Sequence, residues 1–250
     1  KVDNSPIDNK PGGTTGSVIV HADEDGSIDS LAIGLGLGGK VSVAGSITVN
    51  VIVDTVEAAV IGASTVKAAG NVRTYARNQA HAGTIAGQVA IGGQAGIGAA
   101  ITNVDIINRT KAWIDGTATV EADAKAATFK DISGRQVKGV SVEADSPKDV
   151  VIIAVGAAGG NTAGIAGSFS VTVIDDLTEA YIADRSSTAT AGSIDSKGDI
   201  NVLAKGTFSV IGTAGALAIG GEAGVGIGAD VAEQLGDEGF VVVEVEHEGV

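Results

Sequence analysis

Apolar side chains recur at every second position over long stretches of this chain. Val41, Val43, Ile47, Val49, Val51 and Val53 alternate with Ser42, Ala44, Ser46, Thr48, Asn50 and Ile52. A period of two predicts a strand with one apolar face and one small, mostly polar face. Ile165, Phe169, Val171 and Val173 repeat the pattern further along. Near residue 103 the phase slips: Asn103 and Asp105 stand where valines are expected, and Val104 and Ile106 are apolar. A bulge there would restore the face. Turns are expected at Asp25-Gly26, Asp115-Gly116 and Gly198-Asp199. No stretch supports a long helix.

The strands belong to a repeat, the first thing to seek in a patterned chain. Gly16-Ser-Val-Ile-Val-His-Ala22 returns as Gly70-Asn-Val-Arg-Thr-Tyr-Ala76, Lys138-Gly-Val-Ser-Val-Glu-Ala144 and Gly198-Asp-Ile-Asn-Val-Leu-Ala204. The offsets are 54 (70 − 16), 68 (138 − 70) and 60 (198 − 138). Ser42-Val43, Gly96-Ile97, Gly164-Ile165 and Gly224-Val225 keep the same three offsets. Glu57-Ala-Ala-Val60, Lys111-Ala-Trp-Ile114 and Glu179-Ala-Tyr-Ile182 keep the first two. The units are therefore about 16–69, 70–137, 138–197 and 198–232. Residues 1–15 read as a linker. The second unit carries its surplus in a surface loop around Ala124–Lys138. After Asp230 the fourth unit departs from the pattern, and 233–250 reads as an atypical acidic end or cap.

Many short strands rich in Val, Ile, Ala and Gly predict an all-β β-solenoid with a thin apolar interior. At roughly 20 residues per coil, each unit would hold about three coils, and the whole would be a rod of about 55–60 Å. The rival is an antiparallel β-sandwich or barrel that uses Gly92-Gly93 and Gly220-Gly221 as hairpin turns.

The unit Gly-Asp-Ile-Asn-Val-Leu-Ala (198–204) with Gly-Ala-Leu-Ala-Ile-Gly-Gly-Glu-Ala-Gly-Val-Gly (215–226) resembles the repeats of large filamentous bacterial adhesins, and so does Val173-Ile-Asp-Asp-Leu-Thr-Glu-Ala-Tyr-Ile182. It is most similar to the fusobacterial leukotoxin-type repeat within the filamentous-haemagglutinin-like group. The resemblance covers roughly residues 16–230. It implies a right-handed parallel β-helix in a secreted, cell-surface rod, and it brings no catalytic residues.

Composition narrows the chemistry. The 250 residues carry 16 Lys+Arg against 30 Asp+Glu, a net charge of −14, with no Cys. Disulfide scaffolds, thiol catalysis and Cys-ligated zinc are excluded. Nucleic acid is a poor partner for so acidic a chain. The Gly/Ala-rich stretches 83–101 and 213–229 are diluted by glycine, so no membrane-spanning helix is expected.

Individual motifs weaken on inspection. Gly34 to Gly39 fits a dinucleotide fingerprint and, with Lys40, nearly a phosphate loop, but a strand pattern follows where both require a helix. Asp23-Glu24-Asp25-Gly26 fails the EF-hand register and reads as an acidic turn, with a looser Ca²⁺ site as the alternative. His21, His81 and His247 are scattered. Asp175-Asp176 and Asp145/Asp149 read as solvated turn residues. Trp113 and Tyr181 align between units and read as stacked aromatics, with a carbohydrate platform as the alternative.

No catalytic, cofactor-binding or metal residues are assigned. The expected role is a structural, adhesive rod segment at the bacterial cell surface, without catalysis or cofactor. Its partner would be a host or neighbouring-cell surface, or itself end to end through edges such as Val18–Val20 and Phe240–Val245. A self-assembling filament subunit and a polysaccharide-active solenoid enzyme are the alternatives.

Overall fold

A computed structural model describes residues 1–10, 15–115, 117–183, 192–235 and 240–243. The strands are β1 (Val2–Asp3), β2 (Pro6–Asp8), β3 (Val18–Gly38), β4 (Val41–Ile61), β5 (Thr65–Ala68), β6 (Val72–Gly92), β7 (Ala95–Asp115) and β8 (Thr119–Ala122). They continue as β9 (Phe129–Lys130), β10 (Gln136–Val137), β11 (Gly139–Gly160), β12 (Ala163–Ala183), β13 (Ser193–Ser196), β14 (Asp199–Gly220), β15 (Ala223–Leu235) and β16 (Phe240–Val243). No helix occurs among the described residues.

Each of the first three units runs long strand, long strand, short strand, and gives one strand to each of three sheets; the fourth gives β14 to the first and β15 to the second, and β2, ahead of the first unit, is the fourth strand of the third. The first sheet has the order β14-β11-β6-β3, the second β1-β4-β7-β12-β15, and the third β13-β8-β5-β2. β16 also joins the second sheet, beside Glu179–Ile182 of β12. All these pairings are parallel, and among the described residues only the small β9–β10 pair is antiparallel. The antiparallel rival falls here: Gly92-Gly93 joins β6 to β7, which lie in different sheets and do not pair.

The repeat landmarks are the rungs of the sheets. Val18, Val72, Val140 and Ile200 stand side by side, as do Ser42, Gly96, Gly164 and Gly224. The expectation of three coils per unit is corrected to one strand per sheet per unit. Strands of 21–22 residues are about four times the common length of 5–6, so a 20-residue alternating run is a single strand. The molecule is therefore about 70 Å broad along its strands and about 20 Å deep along the stack, not a rod of 55–60 Å.

Other local expectations also change. Residues 2–8 are not linker: β1 and β2 extend the second and third sheets. Asp25-Gly26 lies inside β3 rather than in a turn. Asp115 does end β7, its carbonyl accepting from Ala118 N at 2.9 Å, while Gly116 lies outside the described residues. The Gly198 turn holds, between β13 and β14. No bulge occurs at residue 103, because β7 stays in continuous register with β4 and β12. The 124–138 segment packs down as the β9–β10 pair. It covers Glu143, which accepts from Arg73 at 2.7 and 3.0 Å and from the Ile132 amide at 3.0 Å.

The interior is layered along the strands. At the base the three sheets enclose an apolar core of Val, Ile and Ala, including Val60, Val66, Val72, Ile114, Val120 and Val142. A polar layer follows, built on Lys148 and Asp176. A second apolar cluster contains Ile52, Val104, Ile106, Val150, Ile152 and Ile174. Beyond it the first two sheets close into a thin blade whose interior holds small residues such as Ala44, Ala90, Ala158 and Ala166.

Near the tip of the blade, facing positions pair a glycine with a small residue. In one such row they are Gly36/Ser42, Ala90/Gly96, Ala158/Gly164 and Ala218/Gly224. A Cβ on Gly96 would lie 2.5 Å from the carbonyl oxygens of both Ala90 and Gly159. The backbones thus approach well inside the usual sheet separation of about 10 Å. Only glycine on one side of each pair permits this.

The N-terminal strands are held by charge. Lys10 Nζ contacts Glu121 and Asp123, each at 3.0 Å, and Lys67 reaches Glu121 at 2.9 Å. The hydrogen bond from Lys67, then that from Lys10, draws Glu121 below its ordinary 4.5, and those from Lys10 and Lys125 draw Asp123 below 3.8. Both carboxylates are lower in the folded state, so their support is present above these ordinary values and is lost as pH falls through the lowered ones. Acidification below about pH 4 is expected to release β2 first. Amide exchange should show Ile7 and Asp8 losing protection while Val66 and Val120 keep theirs; equal loss at all four would contradict the clamp.

Candidate functional site

Alternation along the long strands gives each one inner and one outer face, and in the blade the outer face is the more apolar. Val41, Val43, Ile47, Val49 and Val53 point outward and are 57–70% exposed. Ser42, Ala44, Ser46, Thr48 and Asn50 are buried. The expectation of a Val/Ile interior is thus inverted in this part of the molecule. Near the tip, where Gly, Ala and Ser face one another, the two sheets are too close to admit Val or Ile between them. Asn103 and Asp105, read above as a slip, are simply two outward polar residues beside Val49 and Val51.

The inverted polarity extends across the strands. On the second sheet the outward rows from the tip to Ile47-Ile101-Phe169-Ala229 hold only Gly, Ala, Val, Ile and Phe. On the first sheet Leu31, Ile33, Leu35 and Leu37 are 66–73% exposed, with Ile85, Val89, Leu217 and Ile219 beside them. Exposed apolar areas this continuous mark interaction surfaces.

A charged girdle bounds these faces towards the base. On the first sheet His81 lies 3.2 Å from Asp149 and 3.7 Å from Asp29. On the second, Arg109 binds Asp175 at 2.9 Å and Lys111 binds Glu179 at 2.6 Å. Asp175 holds Arg109 firmly protonated, mainly through that hydrogen bond. Next toward the base, Trp113 and Tyr181 stack at 5.9 Å and 17°, with Lys1 Nζ 5.0 Å from the Trp113 ring centre. His21 stacks on Tyr75 at 5.0 Å.

Behind the girdle lies a buried ionic layer. Lys148 Nζ is 3.3 Å from Asp176 Oδ1, with both side chains at most 2% exposed. The ammonium also donates to Ser146 Oγ at 2.5 Å and to the Asn78 carbonyl at 3.1 Å. With its amide turned to donate to the Ile107 carbonyl, Asn108 accepts from Lys148 at 3.1 Å. Ser146 and Thr178 each donate to Asp176 at 2.8 Å. Burial lowers the Lys148 pKa below 10.5 despite the nearby Asp176 carboxylate. The Lys148 ammonium and the Ser146 and Thr178 hydroxyls all find acceptors within the layer, which fits a structural part.

The remaining sequence candidates scatter. Asp175 and Asp176, expected together in a turn, sit mid-strand on opposite faces of β12. Asp145 and Asp149 sit within β11. Asp23, Glu24 and Asp25 alternate along β3, so no loop gathers them. No group of three or more His, Asp or Glu side chains suited to a metal ion occurs among the described residues. Gly34 to Gly38 end a strand, where they admit the facing strand rather than a phosphate. His247 and the acidic residues Glu244, Glu246 and Glu248 lie outside the described residues. Among the described residues no helix is long and apolar enough to cross a membrane.

Sequence reasoning missed the outward apolar faces and the Lys148–Asp176 layer. The signal for the first was present: small residues pair across each tip turn at positions i and i+6. Nothing local announces the second, because Lys148 and Asp176, though both in the third unit, stand on β11 and β12 in different sheets. Comparison with protein-family models, with curated proteins and with solved structures finds no match to this chain.

Proposed function

We propose that this chain is a structural and adhesive segment of a secreted bacterial surface rod, a right-handed parallel β-helix in which each unit forms one coil. The reading includes no catalytic step. The observation that carries it is the constant register of the four units across the first sheet, from Val18↔Val72 to Gly160↔Gly220. Such stacking lengthens a chain by simple repetition. The outward apolar faces and the girdle are the surfaces a rod of this kind presents to a partner.

A specific observation also favours end-to-end assembly. Among the described residues β3 and β14 each pair with one neighbour in the first sheet, so both outer edges offer backbone groups that no described strand pairs.

Negative-stain imaging with light scattering over a concentration series tests both readings. Discrete plates about 70 Å broad support a rod segment. Fibres that lengthen with concentration make assembly the function, and round compact particles overturn both. Duplication of residues 70–197 adds two units and is expected to deepen the plate by about 10 Å.

A further inference from the structure

We propose that the outer face of the first sheet, between the Asp29–His81–Asp149 girdle and the tip, docks against the same face of a second copy of this chain. The inference rests on the stacked-unit fold and not on end-to-end joining.

The area meets what a dimer needs. Four strands at about 4.8 Å and nine residues, from Asp29 to Leu37, at about 3.3 Å give roughly 570 Å² per copy. Two copies together bury about 1,100 Å², at the threshold of a specific interface. The face carries no charge beyond Asp29, and Thr213 is its one polar side chain. A charged or strongly hydrated partner would find nothing to pair with there.

The shape is self-complementary. Gly87 and Gly215 leave gaps in the face, so a shallow apolar hollow of about 580 Å³ opens between Leu31, Ile85, Val89 and Leu217. On the adjoining edge strand β3, Leu35 and Leu37 stand out at 69% and 72% exposure. A two-fold axis sets the β3 knobs of each copy into the hollow of the other, the reciprocal contact of an isologous interface. Lipid is a poorer occupant. The unpaired edges of β3 and β14 run the length of this face, and open sheet edges are not tolerated in hydrocarbon.

Sedimentation velocity tests the proposal across about 1–100 µM, the range expected of an interface this small. The native chain should pass from monomer to a discrete dimer. Leu35→Asp with Leu37→Asp, and independently Leu217→Asp, should raise the dimer dissociation constant more than tenfold. Val43→Asp on the opposite sheet should leave it unchanged. All these side chains point outward, so circular dichroism and the thermal midpoint should not move. A native chain that stays monomeric throughout overturns the proposal, as do dimers that survive both first-sheet variants. Binding to phosphatidylcholine vesicles that is lost with Leu217→Asp, without self-association, would give the face to lipid instead. Fibres that persist in these variants would leave end-to-end assembly standing while this face fails.

Discussion

Asp176→Ala is expected to destabilise the fold by about 3–5 kcal/mol, the usual cost of stranding one member of a buried ion pair. The Lys148 ammonium would remain in the layer between two apolar clusters with its charge uncompensated. Urea unfolding followed by circular dichroism measures the loss. Lys148→Met combined with Asp176→Leu should recover most of it, because a well-packed apolar pair often matches a buried ionic one. Recovery will be incomplete, since Ser146 and Thr178 lose their acceptor. A loss below about 1 kcal/mol for Asp176→Ala would mean that solvent reaches the layer. Alkaline pH supplies a second readout. Burial lowers Lys148 below 10.5, so near that pH the unfolded chain holds a proton the folded chain has released. This group therefore makes stability rise with pH from its lowered folded value up to about 10.5, and Lys148→Met should remove that contribution.

Gly96→Ala is expected to cost about 3 kcal/mol, at the upper end for overpacking, because the new methyl meets backbone on both facing strands. Neither carbonyl can rotate away as a side chain would. Gly215→Ala supplies the contrast: a Cβ there meets nothing within 4 Å. It should be neutral or stabilise by up to about 1 kcal/mol, by reducing the freedom of the unfolded chain. The two variants make the same chemical change, one inside the blade and one on its outer surface. Equal effects on the denaturation midpoint would contradict the close approach of the two sheets.

The architecture was legible in the sequence to an uneven degree. Landmark spacing placed Val18, Val72, Val140 and Ile200 on equivalent positions, and these are adjacent rungs. Stacked repeat units followed from that spacing, while the parallel direction was what the family resemblance implied. Coil number did not, because alternation over 20 residues reads the same for one long strand as for several short ones. Alternation also leaves open which face is inner. The hydrophobic effect favours burying Val41 to Val53, but volume decides otherwise where two backbones meet this closely. Asp175 and Asp176 show the same limit. Two adjacent carboxylates read as a turn until the strand around them sends one to Arg109 and the other to Lys148.

The long strands have a mechanical consequence. Adjacent units in the first sheet share a ladder of up to 22 residues, from Gly139↔Asp199 to Gly160↔Gly220. Tension along the stack pulls on that whole ladder, and on its counterpart in the second sheet, at the same moment. Bonds loaded side by side divide the force, whereas bonds loaded one after another each bear all of it. A unit pulled this way resists through the breadth of its strands, and insertions at the base, such as 124–138, lengthen the chain without weakening the link between rungs.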